Sequence, residues 1–220
     1  MIDSLLTLQE VSKSFDMKNQ RNLILNQINL QINKAENIAI TGPSGSGKST
    51  LLHILSGIQK TDSGIASYKN IDYKNVKNNI LEKIYKKDFG FIFQTDYLFN
   101  ELNVLQNILL PVWQRQKEYK DDAIFMLKEL NLIDKLKCKV STLSNGEKQR
   151  ISLIRSLIKK PTIIFADEPT SSLSQNDSKI CISMLMRLKS PNCTIVMVTH
   201  DTSIIKNDFK HFTLNQGNLV

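Results

Sequence analysis

Residues 38–58 read IAITGPSGSGKSTLLHILSGI. Ile38 to Thr41 predicts a short buried strand, Gly42 to Lys48 a glycine-rich turn, and Ser49 with Thr50 the opening of an apolar helix. The turn fits G-x-x-x-x-G-K-[ST] in the strand–loop–helix context that gives the pattern its meaning. A phosphate chain needs several backbone N–H groups pointing into one small concavity, and side chains would block the approach. Gly42, Gly45 and Gly47 have none, while Pro43, Ser44 and Ser46 complete the loop. The helix adds its N-terminal N–H groups and the positive end of its dipole. Lys48 is long enough to reach β- and γ-phosphates, and the Ser49 hydroxyl is a ligand for Mg²⁺.

Around this stretch the chain alternates between strand and helix patterns. Leu5–Val11 and Leu23–Ile32 alternate apolar and polar residues, as antiparallel strands do. The turn between them contains Asp16, Lys18, Asn19 and Asn22, and Phe15 closes the first strand. Its ring suits either core packing or stacking on an adenine. Thr61-Asp62-Ser63-Gly64 predicts a turn, and the polar, basic residues 65–88 give no clear element. Phe89 to Gln94, FGFIFQ, predicts a buried strand ending in a polar residue. Asn103 is a candidate cap for a helix running to about Gln116, and Asp121–Leu130 for a second, amphipathic one. Neither carries phosphate chemistry, which suggests an inserted helical lobe.

Three later stretches end in polar groups where ligands bind. Ser141–Arg150 reads STLSNGEKQR, a Ser-Asn-Gly turn opening a helix over Glu147–Lys159, whose N-terminus is a second anion site. Thr162–Ala166 is a continuous apolar run of the buried parallel kind, and it ends in Asp167-Glu168. Two carboxylates at the end of a buried strand are costly without a partner or a task. Asp167 suits Mg²⁺, and Glu168 suits orienting or deprotonating a water. Thr194–Thr199 predicts another buried strand ending in His200-Asp201, after a helix at Gln175–Leu188. Open α/β sheets bind ligands beyond the carboxyl ends of their strands, which makes Gln94 and His200 candidates for contact near the γ-phosphate. Phe209–Leu214 predicts the last strand.

The chain has 220 residues, 41% hydrophobic and 23% charged, which fits one core with a smaller inserted lobe. No apolar run approaches the ~18 residues of a membrane-spanning helix, and the first residues lack the basic and apolar regions of an export signal. Cys138, Cys181 and Cys193 are scattered without metal-ligand spacing and read as reduced thiols. A net charge of +8 fits lysines spread over solvated faces, or proximity to an anionic membrane. No interleaving of aromatic and basic residues suggests base stacking, so no nucleic acid is expected.

Taken together, these residues resemble the ATP-binding cassette (ABC) ATPases, over Phe15 to His200. GPSGSGKST at 42–50 matches the P-loop, Gln94 the Q-loop, LSNGEKQR at 143–150 the signature motif and IIFADE at 163–168 the Walker B strand with its catalytic glutamate. TSSLS at 170–174 matches the D-loop and His200 the switch histidine. The resemblance implies an α/β fold: a P-loop NTPase core with a mixed, largely parallel sheet, an N-terminal antiparallel β subdomain and an inserted α-helical subdomain. It implies one ABC domain over 1–220, with the core at about 1–94 and 156–220 and the lobe at about 95–155. It further implies an ATPase that works as a head-to-tail dimer of cassettes, a homodimer more readily than a heterodimer, with ATP and Mg²⁺ at each site. One chain would give the P-loop, Gln94, Asp167, Glu168 and His200, and the other Ser144 and Gly146. Lys48 would neutralise phosphate charge, Ser49, Asp167 and Gln94 would hold Mg²⁺, Glu168 would polarise the attacking water, His200 would hold the γ-phosphate, and Phe15 would stack on adenine.

FGFIFQTDYLFNELNVLQNILLPV is similar to the lipoprotein-releasing and macrolide-exporting group. That implies an integral membrane permease as partner and a cytoplasmic position on the inner face of the cell membrane. A soluble ABC ATPase acting on nucleic acid or ribosomes is the alternative. Three residues depart from the family's pattern: Asn145 for the first signature glycine, Glu147 for a usual glutamine, and Ser174 for the D-loop aspartate.

Overall fold

Alternating apolar residues and buried apolar runs give two kinds of strand, and both are present in the computed structural model, which describes residues 4–17 and 20–220. The chain opens with β1 (Ser4–Met17), β2 (Gln20–Asn33), β3 (Asn37–Thr41), α1 (Lys48–Leu55), β4 (Ser63–Tyr68) and β5 (Ile71–Asp72). After α2 (Asn78–Lys87) come β6 (Phe89–Ile92), α3 (Val104–Leu109), α4 (Gln116–Glu129), α5 (Asn145–Leu157), β7 (Ile163–Asp167) and α6 (Gln175–Leu188). The chain ends with β8 (Thr194–Val198), β9 (Phe209–Asn215) and β10 (Asn218–Leu219). Residues divide into two compact units, Met1–Tyr85 with Thr194–Val220, and Lys86–Cys193. The helical stretch 95–155 falls in the second.

The first unit holds an antiparallel sheet of order β2-β1-β4-β5. Its alternation buries Leu6, Leu8 and Val11 on β1 and Leu25, Ile28, Leu30 and Ile32 on β2. Both strands outrun the expected 5–11 and 23–32. Phe15 does not close the first strand: it pairs with Asn22, and Asp16 pairs with Arg21. Backbone bonds carry the ladder past the point where side-chain alternation signals it. Lys18 and Asn19 of the expected turn lie outside the described residues. Ser63 and Gly64, expected in a turn, already belong to β4. A Cβ at Gly64 would lie 2.4 Å from the carbonyl oxygens of Gln9 and Glu10, so only glycine fits beside the bulge of β1 there.

The same unit holds a mixed sheet. β3 runs parallel to β8 on one side and to β9 on the other, and β10 turns back antiparallel on β9. Every residue of β3 and of β8 is buried, in keeping with the apolar runs Ile38–Ile40 and Ile195–Val198 that fill all but their ends. α1 buries Leu51, Leu52, Ile54 and Leu55.

In the second unit β6 and β7 pair in parallel, Phe89 opposite Ile163 and Ile92 opposite Ala166. The Phe89 and Phe165 rings meet edge to face at 5.0 Å. Asn103 caps α3, in a capping box with Gln106, but the helix does not continue to Gln116. Pro111 has no N–H to sustain it, and Leu110–Arg115 tightens into a 3₁₀ turn with a kink at Val112. α4 then starts at Gln116, five residues before the expected Asp121. Trp113 is 60% exposed on this turn.

Candidate functional site

β3 delivers the P-loop. Gly47 is left-handed at φ 98° and is the N-cap of α1, with no side-chain cap hydrogen bond. A Cβ there would lie 2.6 Å from Ile24 Cγ2, and one at Gly42 would lie 2.2 Å from the Leu214 carbonyl oxygen. These two glycines are therefore required by the loop's own neighbours. Lys48 is buried, and its ammonium donates to the carbonyl oxygens of Gly42 at 2.9 Å and Pro43 at 3.0 Å. It thus curls back over the loop, at the point where anionic oxygens would sit. Ser46 Oγ is buried without a hydrogen-bond partner among the described residues. A buried hydroxyl costs free energy until it finds one. A phosphate oxygen in the loop is an acceptor of the right kind, so the residues present fit a nucleotide phosphate chain. Ser49 is exposed at the first turn of α1, and Pro43 and Ser44 are exposed on the loop.

His200 belongs to the same unit. The Thr199 N–H donates to the Ile40 carbonyl oxygen at 3.0 Å, which extends the β3–β8 pairing one step beyond β8. His200 is therefore the next residue, at the carboxyl edge where β3 gives way to Gly42, and its side chain is exposed. Asp201 caps the next 3₁₀ turn by accepting from Ser203 N. Phe15 is 36% exposed on β1, with the Lys13 ammonium 5.5 Å from its ring centroid.

The second unit brings the other candidates to one strand edge. Gln94 comes two residues after Ile92 and Glu168 two residues after Ala166, and Ile92 and Ala166 are partners in register. Gln94 is exposed in a bend past the strand, which ends at Ile92 rather than at Gln94. Asp167 is the last residue of β7, half-buried. Glu168 has φ 45°, a left-handed conformation that costs a non-glycine residue about 1 kcal/mol or more. In this unit, the amide oxygen of Gln94 and the carboxylate of Asp167 are of the hard kind that Mg²⁺ takes.

Ser144 is the N-cap of α5. Its hydroxyl accepts from Glu147 N at 3.3 Å, and the Glu147 carboxylate accepts from Ser144 N at 2.8 Å, a reciprocal capping box. That backbone bond holds the Glu147 carboxyl below the usual carboxylate range. Asn145 and Gly146, expected in a turn, are the first residues of the helix itself. Ser174 is likewise the N-cap of α6, accepting from Asp177 N at 3.2 Å.

Gln149, inside the LSNGEKQR stretch but given no role by it, and Arg155, outside every motif, tie this unit together. Gln149 is buried, and its amide donates to the Pro169 carbonyl oxygen, which fixes the start of α5 to the turn after Glu168. Arg155 donates to the carbonyl oxygens of Asp96 and Tyr97, just past Gln94. The one available signal is the position of Gln149, four residues before Leu153 on the apolar face of the helix. Gly90 allows α5 close to β6, since a Cβ there would lie 2.6 Å from the Ser156 carbonyl oxygen.

A phosphate loop with a buried lysine, a carboxylate pair closing a buried strand and a capped Leu-Ser-x-Gly helix start define an ATPase of the cassette type. The profile of the ABC transporter family matches residues 25–171, and the chain belongs to that family. Within it, the chain is an ATP-binding subunit and an ATPase. It is 39% identical over 217 residues to the lipoprotein-releasing system ATP-binding protein LolD of Ehrlichia ruminantium, covering 96% of this chain and 95% of that protein. It is 36% identical over 219 residues to the ABC transporter ATP-binding protein YvrO of Bacillus subtilis, covering 98% and 96%. The dimeric structure of the bacterial ABC transporter cassette MJ0796 superposes with a TM-score of 0.87 at 31% identity, covering 97% of this chain and 95% of that one. A post-hydrolysis dimer of the same cassette, bound to ADP and Pi, gives 0.84 at 29% identity, with the same coverage.

Proposed function

We propose that two copies of this chain hydrolyse ATP head to tail and drive an integral membrane permease, in the manner of the lipoprotein-releasing ATPases it resembles. The observation that carries the dimer is Gly146. Among the described residues beyond the helix's own backbone, the nearest atom to a Cβ there would be Leu173 Cδ2 at 3.7 Å, so packing does not call for glycine at the start of α5. A ligand or a second chain approaching that backbone would. The LolD relatives belong by name to lipoprotein-releasing systems, and the cassettes of similar fold are dimers.

The residues take these roles. The P-loop Gly42, Pro43, Ser44, Gly45, Ser46 and Gly47 holds the phosphates with Lys48 and Thr50. Phe15 stacks on the adenine. Ser144 and Gly146 close on the γ-phosphate bound by the partner. Glu168 polarises the attacking water, and His200 holds the γ-phosphate. Mg²⁺, on Ser49, Asp167 and Gln94, would neutralise charge as it develops on the phosphoryl oxygens.

The permease contact falls on the second unit. No helix among the described residues is long and apolar enough to cross a membrane, and the permease is inferred from the lipoprotein-releasing relatives. Tyr97 is 61% and Phe99 52% exposed, shortly after Gln94. They line a groove of about 340 Å³ with Phe91, Phe93, Leu110 and Pro111. Exposed aromatic clusters of this kind mark partner surfaces. Leu98 is half-buried between them, which makes Phe99 the better probe. A Phe99→Cys variant is expected to cross-link to a co-expressed permease, and cross-links confined to other faces of the unit would refute the placement.

Glu168→Gln tests the catalytic reading. Glutamine keeps the shape but cannot accept a proton, so turnover should fall by about 10²–10⁴-fold while binding survives. With Mg-ATP the variant should elute as a dimer. Wild-type turnover in the variant would assign the base to another group.

A further inference from the structure

Phe15 does not stand alone on its strand. The pairing of β1 with β2 runs from Lys13 opposite Leu25 to Ser14 opposite Leu23, so Ile24 is an extra, bulged residue. A bulge bends the strand and disrupts its ladder, so the register of Ser14 and Phe15 needs other contacts to fix it. Asp62, at the entry to β4, supplies them. Its N–H donates to the Ser12 carbonyl oxygen at 3.0 Å. Its carboxylate accepts from Ser14 N at 2.9 Å, from Lys13 Nζ at 2.7 Å and from an Arg21 nitrogen at 3.2 Å. Lys13, so held, lies two residues before Phe15 on the same face of the strand, its ammonium over the ring.

We propose that Asp62 is a positioning residue for nucleotide binding: by clamping Lys13 and Ser14 opposite the Ile24 bulge, it fixes the Phe15 ring relative to the phosphate loop. The second half of that link is on the P-loop side. Ile24 lies against Gly47, where a Cβ would come within 2.6 Å of Ile24 Cγ2. The bulged residue therefore touches the loop that takes the phosphates, while the clamp opposite it sets the ring that takes the base. The spacing between base and phosphate subsites is built from Asp62, Ser14, Ile24 and Gly47. The Asp62 carboxyl is held below its ordinary range, first by the Lys13 bond and then by the Ser14 N–H, as expected of a carboxylate that stays ionised for this task. The inference rests on the reading of Phe15 as the adenine platform.

The experiment measures displacement of a fluorescent ATP analogue by ATP and by inorganic triphosphate, for wild type, Phe15→Ala, Asp62→Ala, Asp62→Asn and the Phe15→Ala/Asp62→Ala double variant. Loss of one stacking contact corresponds to roughly tenfold in affinity. Phe15→Ala is expected to weaken ATP by about that factor, and Asp62→Ala by somewhat less, about threefold to fivefold on the same scale. Asp62→Asn keeps an acceptor for the Ser14 N–H and should recover part of the loss. Triphosphate affinity should not change in any variant, and the double variant should bind ATP no more weakly than Phe15→Ala. If Phe15→Ala binds ATP like wild type, the stacking reading fails and the inference falls with it. If Phe15→Ala is weakened but Asp62→Ala is not, the inference alone fails. Equal losses for ATP and triphosphate in Asp62→Ala, or additive losses in the double variant, would make Asp62 a merely structural residue and overturn it as well.

Discussion

The P-loop and the signature turn are both glycine-containing helix starts, yet their glycines answer to different neighbours. At Gly42 and Gly47 a Cβ would collide with Leu214 and Ile24 of the same chain, and Gly47 is left-handed besides. At Gly146 the nearest atoms to a Cβ are 3.7 and 3.8 Å away, an ordinary contact, in a helical conformation any residue adopts. The P-loop at Gly42 and Gly47 is thus shaped by its own unit, while Gly45 is called for by its left-handed φ of 79° alone, since a Cβ there would meet nothing within 4 Å. The signature turn is a capped helix end, with Ser144 and Glu147 satisfying each other, that packing within the chain leaves open. Packing within the chain requires glycine at Gly42 and Gly47 and does not require it at Gly146.

The largest effect expected along this contrast is at Lys48. Lys48→Ala removes the buried cation of the cradle together with its bonds to Gly42 and Pro43. ATP affinity should fall by roughly 100-fold, in line with charge-assisted bonds of about 1.5–3 kcal/mol. Unchanged affinity, read by equilibrium dialysis, would remove the P-loop from the site altogether.

Paired glycine substitutions test the contrast directly. Gly47→Ala forces a side chain into Ile24 and should cost stability of about 1–3 kcal/mol. Gly146→Ala replaces glycine inside a helix and should leave the isolated protein as stable or slightly more so, by up to about 1 kcal/mol. It should nonetheless impair ATP-driven dimer formation in the Glu168→Gln background. Chemical denaturation of both variants, with size-exclusion chromatography of the second, separates the cases. A destabilised Gly146→Ala, or one that dimerises normally, breaks the comparison.

The smallest effect concerns the departures from the family pattern. Asn145 adds a side chain at the first residue of α5, and Ser174 puts a hydroxyl where an aspartate is usual. Ser174 caps α6 in its own chain, a task an aspartate performs equally well. The Asn145→Gly/Ser174→Asp variant should therefore fold normally. Regaining one charge-assisted bond should raise its basal turnover by roughly threefold to tenfold. If turnover at equal protein concentration does not change, the two residues are silent.

Local signals are legible where local physics decides. The P-loop spelling, the Asn103 cap of α3 and the apolar runs of β3, β7 and β8 each rest on one stretch of chain. Pro111 is just as local, and it ends α3 where apolar spacing alone would continue the helix. Within residues 65–88, β4 leaves most of its side chains exposed or half-buried and so carries no clean alternation, whereas α2 does bear an apolar stripe, Ile80, Leu81, Ile84 and Tyr85, among its lysines and asparagines, and helical periodicity is there to be read. β4 is held in place instead by backbone pairing with β1, which no periodicity within the segment signals.

The sequence by itself determined the phosphate-loop spelling, the carboxylate pair at the end of β7 and the family, because motif spacing encodes chemistry that must sit on strand ends and helix starts. Only the tertiary structure decided that Asn145 and Gly146 lie in a helix, that Gln149 binds the turn after Glu168, and that Asp62 clamps β1 before Phe15. Each of those rests on a hydrogen bond or a backbone pairing that local spelling does not specify. Composition and periodicity describe how a residue sits on its own element, and they do not say which distant carbonyl or amide it will meet.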